Sequence, residues 1–457
     1  MTRLRILWLL PASALLLLAI GVLIPRMLGG STAPGTTIAA GTPSPAVGVG
    51  LTPSSKPNGP VGIPTEGGRA QGAPMVSPAT PSLAAATPPK RVVLGYYVPY
   101  DATSWASFQA QAGALDYVAA QWVSVDACGG IGSRDDRTLV AYASTHGVKV
   151  LPSLLTSTAA LNHILLTDLA TSERFLGDIV DYVVEMGYPG FDLDLEGIDA
   201  EDRDAYSAFV ARLAEALHNQ GKILTLAIPA KASDVRTGWA GPYDYAALGK
   251  HADLILLMTY DYSWSSGPPG SIAPQDWVDR VAAYAVRQMP ASKVLLGLAF
   301  YGYDWNTTLG GRARALLYPQ AAALAQQYGA QIAIDQKSLS GTFTYAAKPD
   351  DPMPPPPQVP AVQNDIAVRT PGPCPGVTPA PTSTPRPPTT PTPAPPAPPT
   401  STPVPIQHHI VWLEDATSAA VKLQIAARHG VAGVGAWRLG QEDPAVWEYL
   451  SNYRSGR

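Results

Sequence analysis

Cysteine is nearly absent from the chain. Its 457 residues hold two, Cys128 and Cys374, too few for a disulfide scaffold, and no single bridge or metal site can be inferred from them. Positive charge is not in excess either. A formal charge of -4 and a pI near 6.0 leave no general electrostatic basis for nucleic-acid binding, which calls for a clustered basic face. No heptad seam is present, so a monomer is expected. Proline and glycine, by contrast, number 48 and 41. They are placed so unevenly that much of the chain cannot be packed core.

Three stretches stand apart from any globular part. Ile6 to Ile24 is an almost unbroken apolar run preceded by Arg3 and Arg5, and about 19 residues suffice to span a bilayer's hydrocarbon. It ends at Pro25 and Arg26 without an Ala-x-Ala-like exit, which favours an uncleaved signal anchor over a signal peptide for residues 1–28. Export follows, with the protein either membrane-anchored and facing outside or released to the wall or medium. Residues 29–90 are Ser, Thr, Pro, Gly and Ala with scarcely a charge or aromatic, the composition of a disordered linker. A second Pro-rich tract, 350–405, is followed by ordered sequence and reads as a disordered insert. It separates TFTY, from Thr342, and HHIVWLED, from His408, which read as two strands of a hairpin. Loop-closure cost grows only logarithmically with length, so the barrel is expected to survive deletion of this insert.

The rest of 91–457 has a regular rhythm. Eight apolar, β-branched runs begin at Val92, Val118, Val148, Gly190, Ile223, Ala252, Lys293 and Gly433. Between them lie helical stretches such as DRDAYSAFVARLAEALHNQG, from Asp202, with apolar positions three to four apart and a C-capping Gly221. Strand alternating with helix argues for a parallel sheet, and eight units argue for closure into a (β/α)8 TIM barrel. A small α+β insertion before the last strand accounts for the hairpin.

One run carries the chemistry. In GFDLDLEG, Asp192, Asp194 and Glu196 alternate with Phe191, Leu193 and Leu195, so a strand puts the three acids on one face. An edge strand with a solvated acidic face is the plain alternative, but the flanking sequence is barrel-like. In a barrel the acids point inward, where like charges are costly unless protons are shared. Glu196 falls at the strand's C-terminal end, where barrel enzymes assemble their sites. Desolvation and neighbouring carboxylates should raise its pKa into the range of a general acid.

These residues resemble glycoside hydrolase family 18, whose fourth strand carries Asp-Gly-x-Asp-x-Asp-x-Glu. Gly190 to Glu196 match it, while Pro189 stands at the motif's first Asp. LMTYDY, from Leu257, resembles the family's sixth strand, and GLAFYGYDW and GVGAWRLGQED resemble the seventh and eighth. The wording of the later segments is most similar to the branch of spore-cortex and cell-wall N-acetylglucosaminidases. No LysM wall-binding repeat accompanies it.

The resemblance implies a retaining, substrate-assisted glycosidase acting on a polysaccharide containing N-acetylglucosamine, in peptidoglycan or a chitin-like polymer, without metal or cofactor. Glu196 becomes the acid/base, Asp194 the group orienting the substrate's acetamide, Asp192 its tuner and Tyr260 a hydrogen-bond donor to the acetamido carbonyl. Asp261, Trp437 and Met258 are expected to contact sugar, while Tyr96, Tyr301 and Trp305 are candidates either for sugar contact or for burial within the barrel. His408 and His409 are adjacent, so on a strand they point oppositely and make poor joint metal ligands. The competing reading is a catalytically silent, lectin-like barrel, which the departure at Pro189 keeps open.

Overall fold

The computed structural model describes residues 91–360, 363–374 and 405–456. The expected anchor and linker, 1–28 and 29–90, lie outside the described residues. Among the described residues no helix is long and apolar enough to cross a membrane.

The eight runs are the eight strands of a closed parallel barrel: β1 Val92–Tyr97, β2 Tyr117–Val125, β3 Lys149–Thr156, β4 Gly190–Leu195, β5 Ile223–Pro229, β6 Leu254–Met258, β7 Val294–Ala299 and β8 Gly433–Trp437. Each pairs in parallel with the next, and β8 closes on β1 from Val92↔Gly433 to Gly95↔Ala436. Alternation along each strand sorts side chains between two cores. On β4, Phe191, Leu193 and Leu195 are buried outward against Phe175, Ile179, Phe209 and Leu213 of the helices Leu169–Glu185 and Arg203–His218. Inward residues such as Leu94, Leu151, Leu256 and Leu295 fill the barrel, as a packed interior requires.

Between β7 and β8 the chain builds a five-stranded antiparallel sheet, ordered Arg314–Leu317, Tyr301–Asn306, Gln407–Leu413, Gly341–Ala347 and Ala333–Ile334. The expected hairpin is its centre, running from Gly341↔Leu413 to Ala347↔Gln407. The helix Tyr318–Gln327 covers one face, where Leu324, Phe343, Tyr345, Val411 and Leu413 pack together. The other face carries Tyr301, Tyr303 and Trp305, with Ile410 and Trp412, and joins Tyr260 and Trp437 of the barrel.

The reading of 350–405 as one disordered insert needs correction. Residues 348–360 stay on the insertion, where the carbonyls of Pro352 and Pro354 accept from Gln327 and Gln320 at 3.0 and 3.2 Å. Ile366–Arg369 is then a strand, antiparallel to Ile131–Asp136, which in turn pairs with the end of β2. Arg174 donates to the Gly372 carbonyl at 2.7 Å, and Cys374 is bonded to Cys128 with a Cα–Cα distance of 5.7 Å. The physical reason is local. Proline lacks a backbone donor, but the four residues IAVR are proline-free and complete a ladder that composition averaged over the tract conceals. The expectation of no inferable bridge is corrected with it. Asp126 does lie within 4.8 Å of both sulfurs, so the cysteines have an acidic neighbour, yet their sulfurs are spent on each other.

Candidate active site

The register of the barrel decides what each acid meets. Ser153 of β3 and Thr225 of β5 lie beside Asp192. Their hydroxyls donate to its carboxylate at 2.8 and 2.5 Å, with the Tyr96 hydroxyl at 3.5 Å. Burial raises Asp192 to about 6, against these three donors, which lower it. None of its partners comes from position 189. The Pro189 carbonyl instead accepts from the Ile223 amide at 3.0 Å, so position 189 gives Asp192 no side-chain partner, and its hydrogen bonds come from Ser153, Thr225 and Tyr96.

Asp194 is less well served. Gln121 donates to one oxygen at 3.3 Å, and the other oxygen, Oδ1, is buried with no protein partner. Burial, then the charges of Glu196 and Asp192, push its pKa well up. Such an orphan acceptor is costly in a folded protein. Glu196 sits just beyond the strand. Its amide donates to the Thr156 carbonyl at 2.7 Å, and its own carbonyl accepts from the buried Asn162 at 2.5 Å. Its carboxyl, lifted from 4.5 to about 7 first by burial and then by Asp261, keeps a proton near neutral pH.

The end of β6 faces these acids. Thr259 donates to the Gly297 carbonyl at 2.7 Å, which fixes the turn into Tyr260. Position 297 must be glycine, because a Cβ there would lie 2.8 Å from the Tyr260 ring and 2.7 Å from the Leu257 carbonyl. Burial, then Asp194 and Glu196, hold the Tyr260 hydroxyl well above its ordinary pKa, so it remains a donor. Asp261 turns with φ 57° and is exposed as a residue, yet its carboxylate accepts from Tyr301 at 2.5 Å and Tyr303 at 3.1 Å. Desolvation of that carboxylate outweighs the two donors and raises its pKa.

The remaining expected contacts divide. Trp437, at the end of β8, is half-buried and joins both the barrel core and the insertion's aromatic face, with its ring 5.5 Å from Tyr96. Met258 is half-buried at the end of β6. Tyr96 and Tyr301 are buried, at 1% and 6% exposure, so the structure gives them support of Asp192 and Asp261. Trp305 is buried and donates to the Gly267 carbonyl at 3.0 Å. His409 pairs with Asp304 at 2.8 Å, away from these acids in the fold. Sequence reasoning missed Gln121, Ser153 and Thr225, although each is a polar residue within an apolar run, and also Asn162, Tyr303 and Tyr243, whose hydroxyl holds the Leu195 carbonyl at 2.8 Å.

Inward carboxylates at the C-terminal end of the fourth strand, faced by Met-x-Tyr-Asp on the sixth, fit one family. The model of glycosyl hydrolases family 18 matches residues 92–442. The chain belongs to that family. The family model and the glycosylase relatives support a glycosidase. Among its relatives, the cortical fragment-lytic enzyme of Bacillus subtilis is 29% identical over 296 residues, covering 64% of this chain and 56% of that protein. The uncharacterized glycosylase YvbX of the same organism is 26% identical, covering 63% of this chain and 67% of its own length. The chain thus spans only about half to two thirds of these curated relatives. The crystal structure of a chitinase from Chromobacterium violaceum is 25% identical with a TM-score of 0.63, covering 80% of this chain and all of that one.

Proposed function

We propose that the protein cleaves β-1,4 bonds next to N-acetylglucosamine in peptidoglycan or a chitin-like polymer, with retention and with Glu196 as acid and base. The observation that carries this reading is the line of three inward carboxyls in which Glu196, at the open end, has its pKa raised to about 7. Such a group donates a proton at neutral pH and can take one back.

Retention without a protein nucleophile uses the substrate's own 2-acetamido group. Its carbonyl oxygen bonds to the anomeric carbon as the glycosidic C–O bond breaks, and the Glu196 proton goes to the leaving oxygen. Water then attacks the same carbon, gives its proton to Glu196 and releases the acetamide. The orphan Oδ1 of Asp194 would accept the acetamido N–H and stabilise the positive charge as it develops. Asp192, held by Ser153 and Thr225, sets the charge of Asp194. The Tyr260 hydroxyl donates to the acetamido carbonyl and holds it in line, a positioning effect of several kcal/mol in general. Trp437 supplies the floor for the sugar's apolar face, and Asp261 takes a hydroxyl of the same sugar.

The choice of polymer rests on the relatives, one named for cortical fragments and one for chitin. We place the barrel outside the cell, carried there by the apolar segment at 6–24. The test is hydrolysis of N-acetylglucosamine oligomers and purified peptidoglycan by the protein beside Glu196→Gln. Turnover lost in the variant supports the reading, and binding without turnover in both proteins would replace it with the lectin-like one.

A further inference from the structure

We propose that Asn162 is a positioning residue for Glu196, presented by the helix Ala159–Thr167, which clamps the acid's turn from the side of β3. This rests on the reading of Glu196 as the acid and adds what keeps it in line with the leaving oxygen. The ladder between β4 and β5 ends at Leu193↔Leu226, so on that side the acid stands beyond its sheet. The chain then turns left-handed at Gly197, with φ 64°. It lies so close to the loop after β3 that a Cβ on Gly197 would come within 2.8 Å of the Ser157 carbonyl. Side chains take the two carbonyls before this turn in place of a strand, Leu195 by the Tyr243 hydroxyl and Glu196 by the Asn162 amide.

Asn162 is an odd residue for its place. The helix reads AALNHILLT, and Asn162 lies on the face that also buries Leu165 and Leu166. Asparagine is a poor helix former. Its Oδ1 is buried with no protein partner, which costs stability. Among the described residues, its side chain makes one hydrogen bond, from Nδ2 to the Glu196 carbonyl at 2.5 Å. An apolar residue would suit this face better for folding alone, and a local rule broken at such a cost belongs with function.

The helix is latched in turn. His163 Nδ1 lies 2.9 and 3.1 Å from the two carboxylate oxygens of Asp202, a buried residue just before the helix Arg203–His218. Neighbouring residues of one helix therefore hold the acid's loop at both ends, 196 and 202. What they control is the aim of one carboxyl. Displacement of a reacting group by about 1 Å costs about 100-fold in rate. Glu196 delivers its proton only as the glycosidic bond breaks, so loosening it acts on the transition state and spares substrate binding.

The test is hydrolysis of an N-acetylglucosamine hexamer by Asn162→Ala and by His163→Ala, whose exposed ring can be removed without opening the core. In Asn162→Ala, kcat should fall roughly 10-fold to 100-fold with KM unchanged, and His163→Ala should show the same pattern with a smaller fall. Water admitted beside the carboxyl should weaken the burial that lifts Glu196 to about 7, so the alkaline limb of Asn162→Ala should move to lower pH. A nuclear magnetic resonance titration of isotope-labelled glutamate carboxyls reads the same shift without turnover. Unchanged kcat in a folded Asn162→Ala protein, or a loss carried by KM, would overturn the clamp. If that variant does not fold, unchanged kcat in His163→Ala would do so. An unaltered protein that turns nothing over, but whose Glu196 titration still moves in Asn162→Ala, would retain the clamp and sink the hydrolase reading; without that movement both would fall.

Discussion

Serine at both Cys128 and Cys374 should cost the protein a large part of its thermal stability. The bridge joins positions 246 residues apart, and a cross-link restricts the unfolded chain by an amount that grows with the logarithm of the loop it closes. On the chain-entropy treatment a loop of this length corresponds to about 5 kcal/mol. The folded state should change little, because the strand Ile366–Arg369 keeps its ladder to Ile131–Asp136 and Arg174 keeps the Gly372 carbonyl. The loss therefore acts mainly through the unfolded state. At about 2–4 °C per kcal/mol for domains of 150–250 residues, the midpoint should drop by about 10 °C or somewhat more. Circular-dichroism melts of the protein and the double-serine variant, with and without reductant, give the answer. Reductant should bring the unaltered protein to the variant's Tm and leave the variant alone. A variant that melts with the unaltered protein under oxidising conditions would show that the bridge does not stabilise the fold.

The pH profile and a buried glycine give two further tests. Glu196 must be protonated to act, so kcat/KM should fall as pH rises through about 7. Burial is the larger cause of its rise from 4.5 and Asp261 the smaller, so Asp261→Asn should move that alkaline limb down by about one pH unit or less; an unmoved limb, or one moved upward, contradicts the assignment. Gly297→Ala places a Cβ 2.8 Å from the Tyr260 ring. It should lower kcat about 100-fold, in line with displacements of about 1 Å at a reacting group, while the far-ultraviolet spectrum stays unchanged; full activity would mean that the position of Tyr260 is not critical.

Much of this was legible in the sequence, and the exceptions have physical causes. Each of the eight apolar runs became a barrel strand because burial on both faces writes the same β-branched signature locally. The acidic line of β4 was readable for the same reason, since a two-residue period fixes which side chains share a face. The support for those acids was harder to read. Ser153, Thr225 and Gln121 gain meaning only from register, which brings strands from distant parts of the chain side by side. The bridge and the strand Ile366–Arg369 were hidden altogether, because their partners near residues 128 and 131–136 lie far away in sequence and the tract around them is dominated by proline. For Tyr96 and Tyr301 the sequence left sugar contact and burial open, because aromatic identity alone does not separate the two; the fold buries both, with their hydroxyls on Asp192 and Asp261.

The central claim is that Glu196 carries the proton in cleavage beside N-acetylglucosamine. Its most direct test is to digest the hexamer and purified peptidoglycan with the protein and with Glu196→Gln, and to identify the new reducing ends. The unaltered protein should yield reducing-end N-acetylglucosamine, formed initially as the β-anomer, and the variant should lose at least 100-fold, the low end of what acid catalysis supplies. Undiminished turnover by Glu196→Gln would contradict it.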